Sequence, residues 1–255
     1  MTDSSIAVPG GPALPVHDTG RGIPVLLLHG GGGPETVSGF GEHLAARYPL
    51  RVLTPVHPGF GGTERPDRLR SVRDLGRLYA GLLDHLGLTG VTVIGSSIGG
   101  WAAAEVALAS PRAGRLVLIN AVGLASAEHP VADFFSLTPA ELAERSWARP
   151  EGRALDTSSM TAAQRAVLVG NRAALRAYGG ESMADPGLAS RLGALTLPSL
   201  VLWGEADQIA TPAYGKEYAA AIPGAVFRLL PEAGHLPQLE TPEATLAALG
   251  EFLGF

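Results

Sequence analysis

The sequence predicts an α/β protein with a mostly parallel sheet of the eight-stranded type, flanked by helices and interrupted by a helical insertion. Three observations lead to this prediction. Short apolar runs alternate with helical patterns over residues 23–120 and again over 197–253. One apolar run, beginning at Val91, leads through Gly-x-Ser-x-Gly into small residues that are typical of a helix. Over residues 121–194 the alternation stops, and helical patterns dominate.

Composition limits the classes of protein to which the chain can belong. Of its 255 residues, 46% are hydrophobic and 17% are charged, which is typical of a folded globular chain. A formal net charge of -5 argues against non-specific binding to nucleic acid or anionic membranes. The lack of cysteine excludes disulfides and thiol chemistry and fits a reducing compartment. Neither a signal peptide nor an apolar run of membrane-spanning length is apparent. We expect a cytoplasmic monomer or homodimer that acts on a small molecule.

The elements of the predicted core follow one another in a regular order. Two extended pieces flank residues 9–12, whose Pro and Gly content is typical of a β-hairpin. The apolar run over 23–28 predicts a strand buried on both faces. The clearest amphipathic helix spans 71–87, and the hydroxyl of Thr241 before Pro242 is expected to cap the last helix. Further strands are predicted at 51–55, 115–120, 197–204 and 226–230, and further helices at 36–47, 102–109 and 212–221.

The segment 121–194 has a different character from the rest of the chain. It contains helical patterns at 138–147 and 161–178, with scattered aromatic and methionine side chains. We expect this segment to form a helical cap over the carboxyl ends of the strands, where α/β proteins bind ligands. Residues 1–120 and 195–255 would then form the core domain.

Ser97 lies at the centre of the Gly-x-Ser-x-Gly motif, directly after the strand that begins at Val91. A sharp turn between strand and helix holds such a serine in an unfavourable backbone conformation and projects its hydroxyl from the sheet. Gly95 and Gly99 allow the helix to pack close to the strand. The motif alone is weak evidence, so the prediction of a nucleophilic serine depends on finding its partners.

A serine hydroxyl needs a base to accept its proton and an acid to orient that base. In strand–turn–helix enzymes, the order along the chain is serine, acid, histidine. His235 is the one histidine among seven that comes late enough, in a loop after the last predicted strand. Asp207, which follows the strand ending at Gly204, is predicted as the acid, with Glu205 as the alternative.

Two backbone N–H groups are expected to bind the oxyanion that forms when the serine attacks. One belongs to Ile98, and the other lies in the glycine run after His29, at Gly31 or at Gly32. His29 and His57 are expected to be structural or pocket-lining, because no cysteines or clustered carboxylates accompany them as metal ligands. The glycine spacing does not match a dinucleotide fingerprint, and we predict neither a cofactor nor a metal.

Together these segments resemble the α/β-hydrolase fold superfamily over nearly the whole chain. The matching segments are the turn around Ser97, residues 203–207 and 233–235, and the glycine-containing loops that begin at His29 and His57. The resemblance implies a serine hydrolase whose triad is Ser97, Asp207 and His235. A serine nucleophile makes the epoxide hydrolases and haloalkane dehalogenases, which use aspartate, poor matches.

The motifs are less specific for the substrate, and we expect a small carboxylic ester or lactone that passes through an acyl-enzyme. The His29 loop and the cap placement also resemble the meta-cleavage-product hydrolases, which split carbon–carbon bonds in dienoic acids. Those enzymes use a cap arginine for the substrate carboxylate, and Arg172 and Arg176 are both candidates. They often carry an aromatic residue after the catalytic histidine, where this chain has Leu236.

Two further alternatives stay open at this point. The fold also serves as a non-catalytic receptor for small ligands, and a perhydrolase or haloperoxidase side activity is a third chemistry. For the expected ester or lactone hydrolase, the ligand is a small acyl compound. The candidate pocket residues are His29, Gly32, Phe134, Trp147 and Leu236.

Overall fold

An eight-stranded sheet forms the centre of the protein. The computed structural model describes residues 2–255, with side chains from residue 4 onward. The strand order in the eight-stranded sheet is β1-β2-β4-β3-β5-β6-β9-β10. Strand β2 runs antiparallel to both of its neighbours, and the remaining pairs are parallel. A second sheet pairs β7 with β8. The strands are β1 (Thr2–Ala7), β2 (Ala13–Gly20), β3 (Ile23–Leu28), β4 (Leu50–Pro55), β5 (Val91–Ser96), β6 (Ala113–Ile119), β7 (Gly123–Leu124), β8 (Ala184–Asp185), β9 (Ser199–Gly204) and β10 (Val226–Leu230).

The direction of the strand order reverses at β3. From this strand the chain continues to β4 on one side, and it later returns to β5 on the other side. At such a reversal, the loops after the two neighbouring strands diverge and leave a crevice at the carboxyl edge of the sheet. Residues 30–33 follow β3, and Ser97 follows β5. The topology therefore brings the glycine run and the serine to the same crevice.

Helices connect the strands and cover both faces of the sheet. The predicted 71–87 helix is found as α2 (Val72–His85), and its start has a capping box in which Ser71 Oγ accepts from Asp74 N–H while Asp74 Oδ2 accepts from Ser71 N–H. A 3-10 turn over Pro34–Thr36 precedes the first helix. The α-helices are α1 (Ser38–Arg47), α2 (Val72–His85), α3 (Ile98–Ala109), α4 (Pro139–Ser146), α5 (Ala162–Gly179), α6 (Leu188–Leu192), α7 (Pro212–Ala220), α8 (Pro237–Glu240) and α9 (Pro242–Leu253).

The hydrophobic core has two layers, one on each face of the sheet. Successive side chains of β3 alternate between them, as the pleat of a strand requires. Val25 and Leu27 pack in the layer that contains Leu44 of α1. Leu26 and Leu28 pack in the larger layer, which contains much of α2 and α3. All four β3 side chains are buried, which explains why the strand reads as an uninterrupted apolar run.

The insertion, residues 121–194, connects β6 to β9 and contains α4, α5 and α6. Its two longer helices were predicted, whereas α6 and the two-residue strands are too short to leave a periodic pattern. Helix α5 is hydrogen-bonded to the loops after β3 and β4. Asn171 Nδ2 donates to Gly32 O (3.2 Å), Asn171 Oδ1 accepts from Gly61 N–H (2.9 Å), and Tyr178 Oη donates to Pro58 O (3.0 Å). Of the helices in residues 2–255, none is both long and apolar enough to cross a membrane.

The segment before the last helix differs from the sequence prediction. A short helix, α8, lies between His235 and Thr241. Among the described residues, the Thr241 hydroxyl does not accept the expected N-cap hydrogen bond from the first turn of α9. It donates instead to Pro237 O (3.3 Å), and the backbone of Thr241 ends α8. The prediction of a hydroxyl cap at this position is wrong, although the last helix begins at Pro242 as expected.

Candidate active site

Ser97 occupies a strained turn between β5 and α3, with φ 55° and ψ -121°. This region of backbone space is rarely adopted by a residue with a side chain. The flanking glycines are required by space: a Cβ on Gly95 would lie 2.0 Å from Gly99 O, and one on Gly99 would lie 2.3 Å from His29 O. The close packing of strand against helix holds the serine in this conformation and presents its hydroxyl at the carboxyl edge of the sheet.

Three side chains from separate strand ends meet in one hydrogen-bonded line. Ser97 Oγ lies 3.0 Å from His235 Nε2, and His235 Nδ1 lies 2.8 Å from Asp207 Oδ2. Because a carboxylate only accepts, His235 Nδ1 carries the proton and leaves Nε2 free to accept from the serine hydroxyl. Asp207 and His235 are buried, whereas Ser97 is partly exposed. Glu205, the alternative acid, is exposed on the surface.

Asp207 is held by more than the histidine. Its Oδ1 accepts from the N–H groups of Ile209 (2.8 Å) and Ala210 (3.1 Å), and its Oδ2 accepts from Asn120 Nδ2 (2.6 Å). Asn120 directly follows β6 at φ 46°, and its Oδ1 accepts from Gly204 N–H (3.1 Å). Asn120 was not predicted from the sequence. Its signal, an asparagine immediately after a buried strand, is weak because asparagine is common in such turns.

The loop that carries His235 is joined to the insertion. His235 N–H donates to Ser146 O at the end of α4 (2.6 Å). The carboxylate of Glu240 accepts two backbone hydrogen bonds, from Gly234 N–H in this loop (2.6 Å) and from Ala148 N–H in the insertion (2.9 Å). The position of the histidine therefore depends on residues from both sides of the cavity.

The backbone N–H groups of Gly31 and Ile98, beside Ser97, make no hydrogen bond within the described part of the chain, and neither does that of Gly32, the alternative donor. Ile98 is the first residue of α3, where helical N–H groups point at the approaching ligand. The loop with Gly31 passes close to the serine, since a Cβ on Gly30 would lie 3.3 Å from Ser97 Cβ. The N–H groups of Gly31 and Ile98 are both free to bind a developing oxyanion.

A cavity of about 550 Å³ opens onto Ser97 and His235. Its lining is mostly apolar and comes largely from the insertion. Two guanidinium groups, those of Arg153 and Arg172, belong to the lining, and none of the described lining residues is an aspartate or glutamate. The apolar lining side chains are Val122, Val131, Phe134, Leu137, Pro139, Leu142, Ala143, Trp147, Leu155, Leu168, Leu175, Met183, Ile209 and Leu236.

A family model described as the alpha/beta hydrolase family matches residues 25–249. The chain belongs to this family. This hydrolase is 32% identical to the 2-hydroxy-6-oxononadienedioate/2-hydroxy-6-oxononatrienedioate hydrolase of Cupriavidus pinatubonensis, over 93% of this chain and 89% of that protein.

Solved structures agree with the fold of this hydrolase. The meta-cleavage product hydrolase CumD superposes with a TM-score of 0.79 at 22% identity, covering 99% of this chain and 98% of the other, which shows the fold alone. A thermophilic esterase from Thermogutta terrifontis superposes with a TM-score of 0.63 at 29% identity, covering 99% and 97%. The proteins to which the chain is similar therefore include one named as a dienedioate hydrolase and one named as an esterase.

The candidate pocket residues of this hydrolase divide into two groups. Gly32, Phe134, Trp147 and Leu236 line the cavity as expected, but His29 does not. The His29 ring is completely buried behind the loop, where Nε2 accepts from His57 N–H (3.0 Å). Burial lowers the pKa of His29 from 6.5 to about 4, so this ring is neutral. Of the two roles expected for His29, structural or pocket-lining, the structure supports the structural one, because its hydrogen bonds direct it into the core.

The structure also separates the two arginine candidates for a substrate carboxylate. Arg172 lines the cavity, and its Nη2 donates to Phe135 O (2.6 Å). Arg176, one turn further along α5, lies outside the lining and is paired with Glu181 (2.8 Å). Of these two, only Arg172 has donors available to a ligand in the cavity.

One group of side chains away from the cavity lining has a spacing that could suit a metal ion. The potential ligand atoms of Glu128, His129 and Glu217 lie within 4.8 Å of one another. All three residues are at least partly exposed, and exposed acidic groups of this kind are common on protein surfaces. His29 and His57 do not belong to this group.

Proposed function

We propose that this alpha/beta hydrolase cleaves a carbon–carbon bond in a 2-hydroxy-6-oxo-dienoate, with Ser97, His235 and Asp207 as its catalytic triad. The proposal takes the place of the small ester or lactone that the sequence predicted. It is supported by the name of the relative from Cupriavidus pinatubonensis and by the charge of the cavity. The insertion, residues 121–194, is proposed to act as the cap that supplies most of the substrate contacts.

The charge of the cavity is the observation that carries the proposal. Arg153 and Arg172 line it, neither forms an ion pair within the described residues, and no acidic side chain among those residues lines it. A guanidinium without a counter-ion at an apolar cavity favours a ligand carboxylate, which it can bind through two parallel hydrogen bonds. A dienoate always carries such a group, whereas a simple neutral ester or lactone offers none.

The triad can perform this cleavage on the keto tautomer of the substrate. Ser97 Oγ attacks the C6 ketone carbon while His235 Nε2 accepts its proton, and Asp207 keeps the imidazole in the required tautomer. The N–H groups of Gly31 and Ile98 bind the oxyanion. When the C5–C6 bond breaks, its electron pair passes along the conjugated chain to the 2-oxo oxygen, which takes the proton from His235. His235 then activates water to hydrolyse the remaining acyl ester on Ser97.

An ester hydrolase is the second candidate. The same three side chains would cleave an ester through the same acyl-enzyme. Leu236 favours this candidate, because the carbon–carbon hydrolases that the chain resembles often have an aromatic residue after the histidine. Similarity to the Thermogutta esterase supports it as well.

A direct comparison of two substrates tests the proposal. Purified protein is assayed with 2-hydroxy-6-oxo-6-phenylhexa-2,4-dienoate, whose colour is lost on cleavage, and with p-nitrophenyl butyrate. We expect kcat/KM for the dienoate to exceed that for the ester by at least about 10-fold, because a hydrogen bond to a charged group contributes about 1.5 to 3 kcal/mol and each 1.4 kcal/mol is tenfold. Ser97→Ala should lower kcat by about 10⁶-fold on the preferred substrate.

The other outcomes each refute the proposal in a recognisable way. Faster turnover of the ester would make the second candidate the function. Tight binding of the dienoate without turnover, together with failure of a fluorophosphonate to label Ser97, would identify a receptor. Peroxide-dependent halogenation faster than either hydrolysis would point to haloperoxidase chemistry.

A further inference from the structure

Behind the glycine loop lies a buried hydrogen-bonded network of three side chains, His29, His57 and Tyr79. His57 Nδ1 lies 2.5 Å from Tyr79 Oη, and His57 Nε2 lies 2.9 Å from His29 O. His57 N–H donates to His29 Nε2 (3.0 Å), and His29 Nδ1 lies 2.8 Å from Gly30 O. All three side chains are completely buried, and none belongs to the cavity lining.

The chemistry of the partners determines the direction of every hydrogen bond in this network. A carbonyl oxygen only accepts, so His57 Nε2 carries the proton and His57 Nδ1 accepts from the Tyr79 hydroxyl. By the same reasoning, His29 Nε2 accepts from the backbone, and His29 Nδ1–H donates to Gly30 O. Burial lowers the pKa of both histidines and raises that of Tyr79, which keeps all three groups neutral at pH 7.

The network acts on the peptide that joins Gly30 to Gly31. In a planar trans peptide, the C=O and the following N–H point in opposite directions. Gly30 O is held from the interior by the His29 ring and accepts a further hydrogen bond from Gly33 N–H (3.2 Å). The Gly31 N–H must therefore point away from the buried network, and it makes no hydrogen bond in the described chain.

We infer that Tyr79 and His57, acting through His29, are positioning residues that aim the Gly31 N–H at the oxyanion. The inference rests on the proposed role of Ser97 as nucleophile. Tyr79 holds the His57 ring, and that ring donates from Nε2–H to the carbonyl of His29. The backbone N–H of His57 holds the His29 ring, which in turn holds the peptide whose N–H binds the oxyanion. Gly31 lies between Gly30 and Gly32, whose backbones are little restricted, so this support replaces the rigidity that a strand or helix would supply.

The experiment measures how fast Ser97 reacts with a fluorophosphonate, which forms an oxyanion-like adduct and requires no knowledge of the natural substrate. Three variants remove different parts of the network: Tyr79→Phe, His57→Leu and His57→Gln. Glutamine keeps an N–H that can donate to His29 O, whereas leucine does not. Tyr218→Phe is the matched control, since the Tyr218 hydroxyl is equally buried but has no hydrogen-bond partner among the residues that the structure describes. Kinetics with p-nitrophenyl butyrate and the melting temperature are recorded for each variant.

We expect His57→Leu to slow labelling by about 10²-fold, the cost of losing one oxyanion donor, and Tyr79→Phe to slow it by about 10-fold. His57→Gln should recover part of the loss, and Tyr218→Phe should label like the wild type. The loss should appear in kcat, with KM changed by less than about twofold, because binding of the acyl group does not need the oxyanion donor.

Two results would overturn the inference, and they differ from each other. If wild-type Ser97 is labelled and the variants label equally fast while only their melting temperatures fall, the network is structural and the proposed function stands. If wild-type Ser97 is not labelled at all, the proposed function and the inference both fail. Should His57→Leu not fold, the single-atom change in Tyr79→Phe still decides between these results.

Discussion

Replacing Arg172 with methionine tests the cavity charge on which the proposed substrate depends. Arg172 has no carboxylate partner among the described residues and makes one hydrogen bond, to Phe135 O. Its remaining donors are free to bind a ligand carboxylate. Methionine keeps a long apolar stem against the rings of Phe134 and Phe135, which the guanidinium covers at 5.5 and 5.4 Å from their centroids. The substitution therefore removes charge and donors with little change in packing.

The size of the effect follows from the environment of Arg172. A hydrogen bond to a charged group contributes about 1.5 to 3 kcal/mol, and Arg172 is half-buried, so solvent screening places it near the lower end. About 1.5 to 2 kcal/mol corresponds to a 10- to 30-fold loss, since each 1.4 kcal/mol is tenfold in a binding constant. Because the carboxylate lies away from the reacting carbonyl, the loss should appear in KM for the dienoate, with kcat changed by less than about threefold.

The assay compares the dienoate with p-nitrophenyl butyrate for two variants, Arg172→Met and Arg176→Met. Arg176 lies one turn away on α5 and covers the same Phe135 ring, but it is paired with Glu181 and lies outside the cavity. We expect Arg172→Met to lose affinity for the dienoate alone and Arg176→Met to lose affinity for neither substrate. An equal loss on both substrates, or a larger loss for Arg176→Met, would refute the assignment of the carboxylate site.

Three further predictions concern the triad, acid stability and the turn at the nucleophile. Asp207→Asn should lower kcat by about 10⁴-fold with the fold intact, because the amide favours the wrong imidazole tautomer; a loss under tenfold in steady-state assays would argue against the triad. Because the folded pKa of His29, about 4, lies below its unfolded 6.5, the unfolded chain binds the proton more tightly. Neutral His29 therefore contributes about 3 kcal/mol to the free energy of unfolding above pH 6.5, and this contribution is lost as the pH falls toward 4. Urea midpoints that stay constant from pH 7 to 4.5 would contradict it. Gly95→Ala should destabilise the protein by more than about 3 kcal/mol, because its Cβ would meet Gly99 O at 2.0 Å. Its control is Gly39→Ala in helix α1, where the added Cβ meets no described atom within 4 Å; this variant should raise the thermal midpoint, because alanine stabilises a helix by about 0.5 to 1 kcal/mol relative to glycine.

The sequence was sufficient to locate the main parts of the site because each part follows a recognisable strand. Ser97, Asp207 and His235 come after β5, β9 and β10, and parallel strands deliver their following loops to one edge of a sheet. The structure places these side chains in hydrogen-bonding distance, and their catalytic roles stay predictions that the assays above address.

What the sequence could not predict depends on neighbours that are distant along the chain. His29 turns into the core because His57, in the loop after β4, offers it a backbone N–H. Asn120 has no motif, and only the adjacency of β6 and β9 brings it to Asp207. Arg172 and Arg176 are four residues apart on one helix and share a side of it, so periodicity cannot choose between them.

The hydrogen bonds between His235 and Ser146, and between Glu240 and both Gly234 and Ala148, have a consequence for engineering. Exchanging the insertion for that of another family member would be an obvious route to new specificity. Here such a graft would also replace the residue whose carbonyl anchors the backbone of His235. A functional chimera must therefore carry the stretches around residues 146–148 and 232–240 from the same parent, as one inherited unit.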